Sequence, residues 1–468
     1  MIREFLPSGS PPLPAPRGRP LLDPRQADYY LLAFFFFLAS SQTALFFGSL
    51  GRMRILLRCA VYGISLAMLL FVQGRGRPHP AQGWALAILA IVTLGLLHPT
   101  SNTLTASLAT LALYAAILAP LFWVVRLPVT PTALRHILLA FWGYHLVSTA
   151  VAVLQVYFPG RFQPEVTFLI RDEFLDSLKI TLASGEKIYR PMGLTDVPGG
   201  VSTSGFYVVL FGLGIFLISQ AWPMRTVAVL GLGMGLFCIY LSQSRYTLIM
   251  SGVCIMTLGA VLLRRGELTR LVTLTIVAAA VVIASSIWAI AVGGSSVTDR
   301  LSTLISEPAG EVYYKNRGHF LDDTIHRLLP AYPLGAGLGR WGMTYVYFGD
   351  ANYPESPEMW VEIQWTGWLY DGGIPLILCY VIALTTTCVM TWRIAISRLP
   401  GNLPILAALV LAYDVGCIAV TFNCPIFIGQ NGLEFWLLNT ATFVAARNAR
   451  PREAGPSRNV NGRVVAFS

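Results

Sequence analysis

The feature that most limits the fold of this chain is a series of long apolar stretches separated by short polar ones. They are residues 29–48, 55–73, 84–98, 104–124, 137–158, 201–220, 226–241, 246–263, 271–292, 373–392, 403–421 and 427–446. A helix that spans a bilayer needs about 20 mainly apolar residues. Because a backbone in lipid has to satisfy its own hydrogen bonds, these stretches predict an all-α polytopic membrane protein with about 12 transmembrane helices.

The composition agrees with a membrane protein. The chain has 468 residues, of which 55% are hydrophobic and only 12% are charged, whereas a soluble domain carries about 25% charged residues. Residues 1–28 are basic and rich in proline and predict a disordered cytoplasmic tail, and residues 447–468 predict a second basic tail. Residues 29–446 are predicted to form a single transmembrane domain with long loops at 159–200 and 293–372.

The placement of Lys and Arg predicts the orientation in the membrane. With the N-terminus and the C-terminus in the cytoplasm, 19 of the 33 basic residues fall in cytoplasmic segments, as the positive-inside rule requires. Arg52 and Arg54 lie on the wrong side for this rule. The net charge of +10 is then explained by orientation and by contact with anionic membrane lipid, and no nucleic-acid partner is predicted.

Both long loops then lie outside, and they carry 16 of the 23 acidic residues. This argues against an ATP-driven enzyme or one that uses a cytoplasmic nucleotide sugar. Residues 166–182 and 318–330 have apolar side chains at helical spacing and predict amphipathic helices, the second ending at Pro330. The histidines and the seven cysteines lack zinc-site spacing, so neither a metal nor a cofactor is predicted.

Three arginines in the outer segments are candidates for binding an anion. Arg190 begins RPMGLTDVPGG, Arg245 ends LSQSR, and Arg317 stands at the start of the predicted loop helix, where free N–H groups favour an anion. Taken singly, Arg190 and Arg245 are explained as snorkelling side chains and Arg317 as a solvated charge. Together they predict a diphosphate site, because a guanidinium binds phosphate oxygens bidentately and stays charged.

A second group of candidates precedes the tenth span. Glu358 and Glu362 have helical spacing, next to Trp360 and Trp365. Carboxylates beside indoles suit a sugar acceptor, since sugar C–H faces stack on aromatic rings; the alternative is an aromatic belt with solvated acids. Gly337, in the flexible or closely packed turn GAGLG, is predicted to bind substrate with them.

These segments resemble the bacterial O-antigen polymerase and O-antigen ligase superfamily, which are multispanning glycosyltransferases of the inner membrane. RPMGLTDVPGG resembles the RxxG…P loop of that family, SQSRYTLIM its SR turn, and YPLGAGLGRWG and YDGGIPLIL its glycine-rich elements. The match runs in the same order over residues 190–390. Ligases of the family carry a His-Asn pair eleven residues before the glycine that corresponds to Gly373, where this chain has Glu362. The polymerase branch is therefore favoured.

The resemblance implies a growing glycan on undecaprenyl diphosphate as donor and a second lipid-linked repeat unit as acceptor, both on the periplasmic side. Arg190, Arg245 and Arg317 would bind the donor diphosphate. Glu362, or Glu358 one turn earlier, would orient or deprotonate the acceptor hydroxyl. A chain-length regulator is a further expected partner. Two alternatives stay open: ligase-type transfer to another acceptor, and a flippase or transporter, which the scarcity of charge within the spans disfavours.

Overall fold

The computed structural model describes residues 24–47, 53–164, 166, 175–306, 308–353 and 355–449. Its α-helices are α1 (Pro24–Ala44), α2 (Arg54–Phe71), α3 (Gln82–Gly95), α4 (Leu104–Leu118), α5 (Pro120–Trp123), α6 (Pro131–Tyr157), α7 (Pro159–Phe162), α8 (Val201–Ile218), α9 (Trp222–Leu241), α10 (Arg245–Arg264), α11 (Leu268–Gly293), α12 (Ser295–Ser306), α13 (Ala309–Tyr313), α14 (His319–Asp323), α15 (Leu329–Ala331), α16 (Gly342–Phe348), α17 (Gln364–Ala395), α18 (Leu403–Val420) and α19 (Gln430–Ala449). Two strands, β1 (Lys179–Thr181) and β2 (Lys187–Tyr189), form a hairpin.

Within the described residues, eight helices are long and apolar enough to cross a membrane, namely α2, α6, α8, α9, α10, α11, α17 and α18. A ninth span results if α4 and the segment Pro120–Arg126, which meet at 41°, are one broken helix. All twelve predicted stretches contain a helix. However, α3 has only 14 residues, about 21 Å at 1.5 Å per residue, and α1 and α19 are not apolar enough. The chain is thus an all-α, multi-pass membrane protein, while the number twelve and the orientation stay predictions.

The first and last helices extend into the predicted tails. α1 begins at Pro24, inside the segment 1–28, and α19 continues to Ala449, past residue 447. Proline suits the first turn of a helix because its missing N–H has no partner there. The other residues of the two tails lie outside the described residues, as does Arg52.

The centre of the bundle is formed by α8 and α18, in which 78% and 83% of the most apolar window is buried. α2 and α11 lie at the periphery, with 22% buried. α8 and α9 approach closely because glycines face each other: a Cβ on Gly205 would lie 2.6 Å from the carbonyl oxygen of Gly235. On α11, Ile276, Ile283 and Ile287 are 60–64% exposed, as side chains that face lipid would be.

Helix α17 is kinked where the predicted tenth span begins. Gly373 has φ +65°, and a Cβ there would lie 2.2 Å from the carbonyl oxygen of Pro333. The N–H of Ile374 donates to that oxygen (2.9 Å), and the carbonyl of Tyr370 accepts from Ala336 N–H (2.7 Å). The glycine-rich segment 335–342 is therefore hydrogen-bonded to α17 at the kink. Residues 364–372 pack with the loops and do not continue the axis of the rest of α17.

The prediction of an amphipathic helix over residues 166–182 is wrong for its described part. Residues 167–174 lie outside the described residues. After a 3₁₀ turn at Asp176–Leu178, β1 pairs antiparallel with β2, Ile180 opposite Ile188. Both isoleucines are buried at 3% exposure, so their packing and the turn at Gly185 (φ +84°) decide in favour of a hairpin.

The predicted helix over residues 318–330 exists but is irregular. Two π-helical turns, Tyr314–Gly318 and Thr324–Leu328, interrupt a helical run from Ala309 to Ala331, one residue past Pro330. A π turn inserts a residue and rotates everything after it. As a result Ile325, expected on the buried face, is 47% exposed, while Thr324 is buried and its hydroxyl lies 2.6 Å from that of Thr366.

Candidate functional site

All the predicted site residues lie at one end of the bundle, where α6, α9, α11 and α18 end and α8, α10, α17 and α19 begin. We name it the loop end. The two long loops contact each other there: Ala183 N–H donates to the carbonyl of Val292 (2.9 Å), and the hydroxyl of Ser296 donates to the backbone carbonyl of Thr181 (2.7 Å). Residues far apart in the sequence are therefore presented on one surface.

The segment 190–200 is held against α6 by side chains. The amide oxygen of Gln155 accepts from the N–H groups of Met192 (2.8 Å) and Gly193 (2.9 Å), and its nitrogen donates to the carbonyl of Gly193 (2.9 Å). The guanidinium of Arg190 donates to the carbonyl of Ser177 (2.8 Å). Arg190 thus stands on a segment whose backbone is fixed.

A buried ion pair ties the same segment to α2. Arg58 donates to both carboxylate oxygens of Asp196 (3.1 and 3.0 Å), and a guanidinium nitrogen of Arg54 lies 3.7 Å from Asp196. Asp196 and Arg54 are 1% and 4% exposed. Arg54, which contradicted the positive-inside rule in the sequence, is therefore a buried structural charge with a counter-ion.

Arg190, Arg245 and Arg300 form a cluster, named the arginine cluster below. Arg300 lies on α12, and partial burial together with the charges of Arg245 and Arg190 lowers the pKa of Arg300. Burial also lowers the pKa of Arg190. The Nε atoms of Arg190 and Arg245 are buried without a hydrogen-bond partner among the described residues. Arg245 and Arg300 also line one small pocket between α9, α10 and α12, and an anion bound among these like charges would relieve their repulsion.

Arg245 reaches the cluster because of an unusual turn between α9 and α10. Gln243 has φ +55°, the single positive φ of a non-glycine residue in the described ranges. Its side-chain nitrogen donates to the carbonyl of Ser296 on α12 (3.1 Å). The turn is therefore fastened to the helix that carries Arg300, which was not among the residues predicted for the site. In the sequence, only the position of Arg300 in a loop predicted to lie outside could have indicated that it belongs to the site.

Arg317 and Glu362 form an ion pair. Arg317 lies in a π-helical turn within a longer helical run, so the prediction that it stands at a helix start is wrong. Burial lowers the pKa of Arg317, while Cys424 and Tyr246 act in the opposite direction. The charge of Arg317 is thus engaged by Glu362 and is not shared with the arginine cluster.

A cleft of about 350 Å³ opens beside this ion pair. One wall is formed by the segment before α17 and by the start of that helix, with Glu358, Trp360, Glu362, Thr366 and Tyr370. The other wall comes from earlier parts of the second long loop, with Asp323, Arg327, Tyr332 and Arg340. We name this cleft the glutamate cleft. Trp360 is 66% exposed and forms part of the wall. The structure therefore brings three of the predicted residues together.

The predicted helical relation of Glu358 and Glu362 is wrong. Residues 355–363 are irregular, and α17 begins only at Gln364. The backbone N–H of Met359 donates to the carbonyl of Arg340 (2.8 Å), a contact between loop segments that competes with an intrahelical bond. Both glutamates still line one cleft, because residues of this irregular segment form part of its wall.

Two other predicted residues lie away from the cleft. Trp365 packs on Phe422 and Trp368, with ring centroids 5.3 and 5.6 Å apart. Gly337 is buried, and a Cβ there would lie 2.6 Å from the backbone nitrogen of Ser101. Close backbone packing therefore accounts for this glycine, and the structure brings neither residue to the other candidates.

The loop end thus combines guanidinium groups, carboxylates and exposed aromatic rings around one cleft. In the described part of the chain, His, Cys, Asp and Glu side chains nowhere gather in threes as a metal site would. No protein-family model matches this chain, and no curated protein matches it significantly.

Proposed function

We propose that this chain is a membrane glycosyltransferase that polymerises undecaprenyl-diphosphate-linked oligosaccharide repeat units at the periplasmic face of a bacterial inner membrane. The observation that carries the proposal is that the arginine cluster and a carboxylate-lined cleft lie at the same end of a multi-pass bundle. A lipid-linked diphosphate is an anion held at the membrane edge, and the glycan attached to it projects into water.

The arginine cluster would bind the donor diphosphate. Its three guanidinium groups carry positive charge at any working pH and donate to several phosphate oxygens at once. As the bond between the anomeric carbon of the donor glycan and the phosphate oxygen breaks, negative charge grows on that oxygen. Fixed cations at this position stabilise the transition state more than the ground state.

The glutamate cleft would hold the acceptor repeat unit. The acceptor hydroxyl oxygen forms the new glycosidic bond to the anomeric carbon, and its proton passes to the carboxylate of Glu362. Arg317 pairs with that carboxylate and holds it in place. Trp360 offers an exposed ring for a sugar face. The lipid diphosphate leaves with the electron pair of the broken bond.

The alternatives differ in acceptor and in chemistry. A ligase would transfer the finished polymer to another acceptor, and Glu362 at the position of the ligase histidine favours the polymerase. A flippase would need charged groups lining a path through the bundle. The described helices of the bundle instead bury few acidic side chains, such as Asp414 and Glu434, which are hydrogen-bonded to Asn439 and Tyr207.

The test is alanine substitution of Arg190, Arg245 and Arg300, one at a time, in a cell that makes the polymer. We expect single or very short repeats on the surface at normal protein level. The matched control is Arg270→Ala at the opposite end of the bundle, where Arg270 pairs with Glu267, and it should leave full-length polymer. Full-length polymer from all three cluster variants would refute the proposal. Loss of all surface glycan would indicate a flippase, and polymer retained on the lipid carrier a ligase.

A further inference from the structure

Arg340 is a buried cation without an acidic partner. It is 5% exposed, and its hydrogen bonds go to neutral oxygens: the carbonyls of Ala336 (2.8 Å) and Pro357 (3.2 Å) and the hydroxyl of Thr100 (3.4 Å). Among the described residues no carboxylate oxygen comes within 4.0 Å of it. Buried charges in proteins are normally paired, so the missing partner points to a ligand.

The guanidinium has a nitrogen left for such a ligand. The three bonds use Nε and Nη1, whereas Nη2 makes no hydrogen bond with the described residues. Arg340 lines the glutamate cleft. A group inside the cleft can therefore accept from it.

The other charges of the cleft are balanced or distant. Arg327 pairs with Asp323 (3.1 Å), and Glu362 pairs with Arg317. The remaining acid, Glu358, is exposed. Burial and then the charge of Glu358 raise the pKa of Tyr345, and Glu358 forms no ion pair with Arg340 within 4.0 Å. The inner wall of the cleft at Arg340 is thus cationic, although the cleft as a whole carries both signs.

We propose that the glutamate cleft binds a sugar that carries a carboxylate, with the carboxylate accepting a hydrogen bond from Arg340. The inference rests on the proposed function in taking this cleft as the acceptor site. The volume of about 350 Å³ is near the lower end for small-molecule pockets and suits a short sugar segment. Tyr332, Trp360 and Tyr370 supply the aromatic walls.

A phosphate of the lipid carrier offers the same anionic oxygens, so the test has to separate the two sources. The full chain, purified in detergent, is titrated with glucuronate, with the neutral glucuronamide, with glucose and with inorganic phosphate, and binding is followed by saturation-transfer NMR. Glucuronate and glucuronamide have nearly the same shape. We expect glucuronate to bind about tenfold or more tightly than the amide and glucose, as a charge-assisted hydrogen bond implies.

Two variants locate the effect. Arg340→Gln should remove the preference for glucuronate while glucose binds as before, and Trp360→Ala, at an exposed ring, should weaken both sugars equally. Because Arg340 also holds three loop segments, Arg340→Gln is accompanied by a thermal-unfolding measurement. If this variant does not fold, the comparison of glucuronate with glucuronamide on the unaltered chain decides alone.

Equal binding of glucuronate and glucuronamide would overturn the inference. So would displacement of glucuronate by inorganic phosphate at equal concentration, which would assign the cation to a phosphate group. Neither result touches the polymer length made by the arginine-cluster variants. Full-length polymer from those variants would refute the proposed function whatever the cleft binds, so the two failures are distinguishable.

Discussion

In the proposed reaction, Glu362 has to be held in one orientation and still accept a proton. The ion pair with Arg317 meets the first requirement, and the position in the wall of the glutamate cleft meets the second. Glu358 lines the same cleft but is exposed and forms no ion pair among the described residues. An acid that is mobile in water orients a hydroxyl poorly, so we assign the proton acceptance to Glu362.

Replacing Glu362 by glutamine tests this assignment. Glutamine keeps the shape but accepts no proton and leaves Arg317 without its partner, so we expect polymerisation to slow about 100-fold or more, the usual contribution of a general base. The rate is measured with lipid-linked repeat units and the purified chain in vesicles. Glu358→Gln is the matched control and should slow it less than about tenfold. The reverse order of the two effects would make Glu358 the working acid.

His79 provides a prediction about stability against pH. It lies between α2 and α3 and is 2% exposed, its Nδ1 accepts from Ala81 N–H (3.2 Å), and its Nε2 has no partner among the described residues. Burial lowers the pKa of His79 from 6.5 to about 3. Between pH 6.5 and pH 3 this imidazole binds a proton in the unfolded chain but stays neutral in the folded chain. The free energy of unfolding therefore decreases as the pH falls from 6.5 towards 3.

The expected slope for this one group is at most about 1.4 kcal/mol per pH unit. His79→Asn keeps an acceptor for Ala81 N–H but does not titrate. We expect the apparent unfolding temperature of the unaltered chain to fall more steeply between pH 7 and pH 5 than that of the variant, measured in the same detergent. Parallel curves for the two proteins would show that His79 does not control acid stability.

Arg190 and Arg245 could be predicted as site residues from the sequence alone. Both were expected at the loop end because a charge next to an apolar stretch has to lie at its edge, and both meet at Arg300. Arg300 and Arg340 were not predicted as site residues, because no motif or periodic pattern in the loop sequence singles out either of them. Their significance arises from burial and from neighbours distant in the chain, such as Thr100 beside Arg340.

At the scale of elements, the segment 190–200 functions as a platform for Arg190. Its backbone is fixed by Gln155, and its far end is anchored by Asp196 between Arg58 and Arg54. A Cβ on Gly199 would lie 3.8 Å from the side chain of Arg190, so the segment folds back on itself. Displacing the anchored end is therefore expected to displace the arginine.

Asp196→Asn tests the anchor. Removing the carboxylate leaves Arg54 buried without a counter-ion, and such losses cost about 3–5 kcal/mol. We expect a lower apparent unfolding temperature, faster proteolysis within residues 185–200, and shorter polymer in cells. Asp176→Asn in the same loop is the matched control, because Asp176 pairs with Lys179 at the exposed surface (side chain 94% exposed) and should change none of these. Equal effects of the two substitutions would show that the buried pair has no anchoring role.

The elements that were predicted well from the sequence are the helices in the apolar stretches. Each apolar stretch contains a helix, because an apolar backbone segment in a membrane has no other way to satisfy its hydrogen bonds. The loop elements were predicted less well because tertiary contacts decide them. Ile180 and Ile188 form a hairpin by packing against the bundle, and Thr324 turns inward through a π turn and its contact with Thr366. Neither contact leaves a periodic signal.

At the scale of the whole molecule, the two ends of the bundle differ in chemistry. The loop end carries the arginine cluster, the glutamate cleft and the buried pair of Arg58 with Asp196. At the opposite end, the last turns of α10 and α17 expose Arg264 and Arg393, and Arg265 and Arg270 share Glu267. By the positive-inside rule we expect this second end to lie in the cytoplasm, which would place the proposed site on the opposite side of the membrane.

Cysteine labelling in intact cells tests that orientation. Ser184 lies exposed in the hairpin at the loop end, and Asn402 lies exposed between α17 and α18 at the other. In a chain whose seven native cysteines are replaced by alanine, Ser184→Cys should react with a membrane-impermeant maleimide in intact cells. Asn402→Cys, the matched control, should react only after permeabilisation, because the bilayer then separates it from the reagent. The opposite pattern would turn the molecule over, leaving the arginine cluster in the cytoplasm and contradicting a periplasmic polymerase.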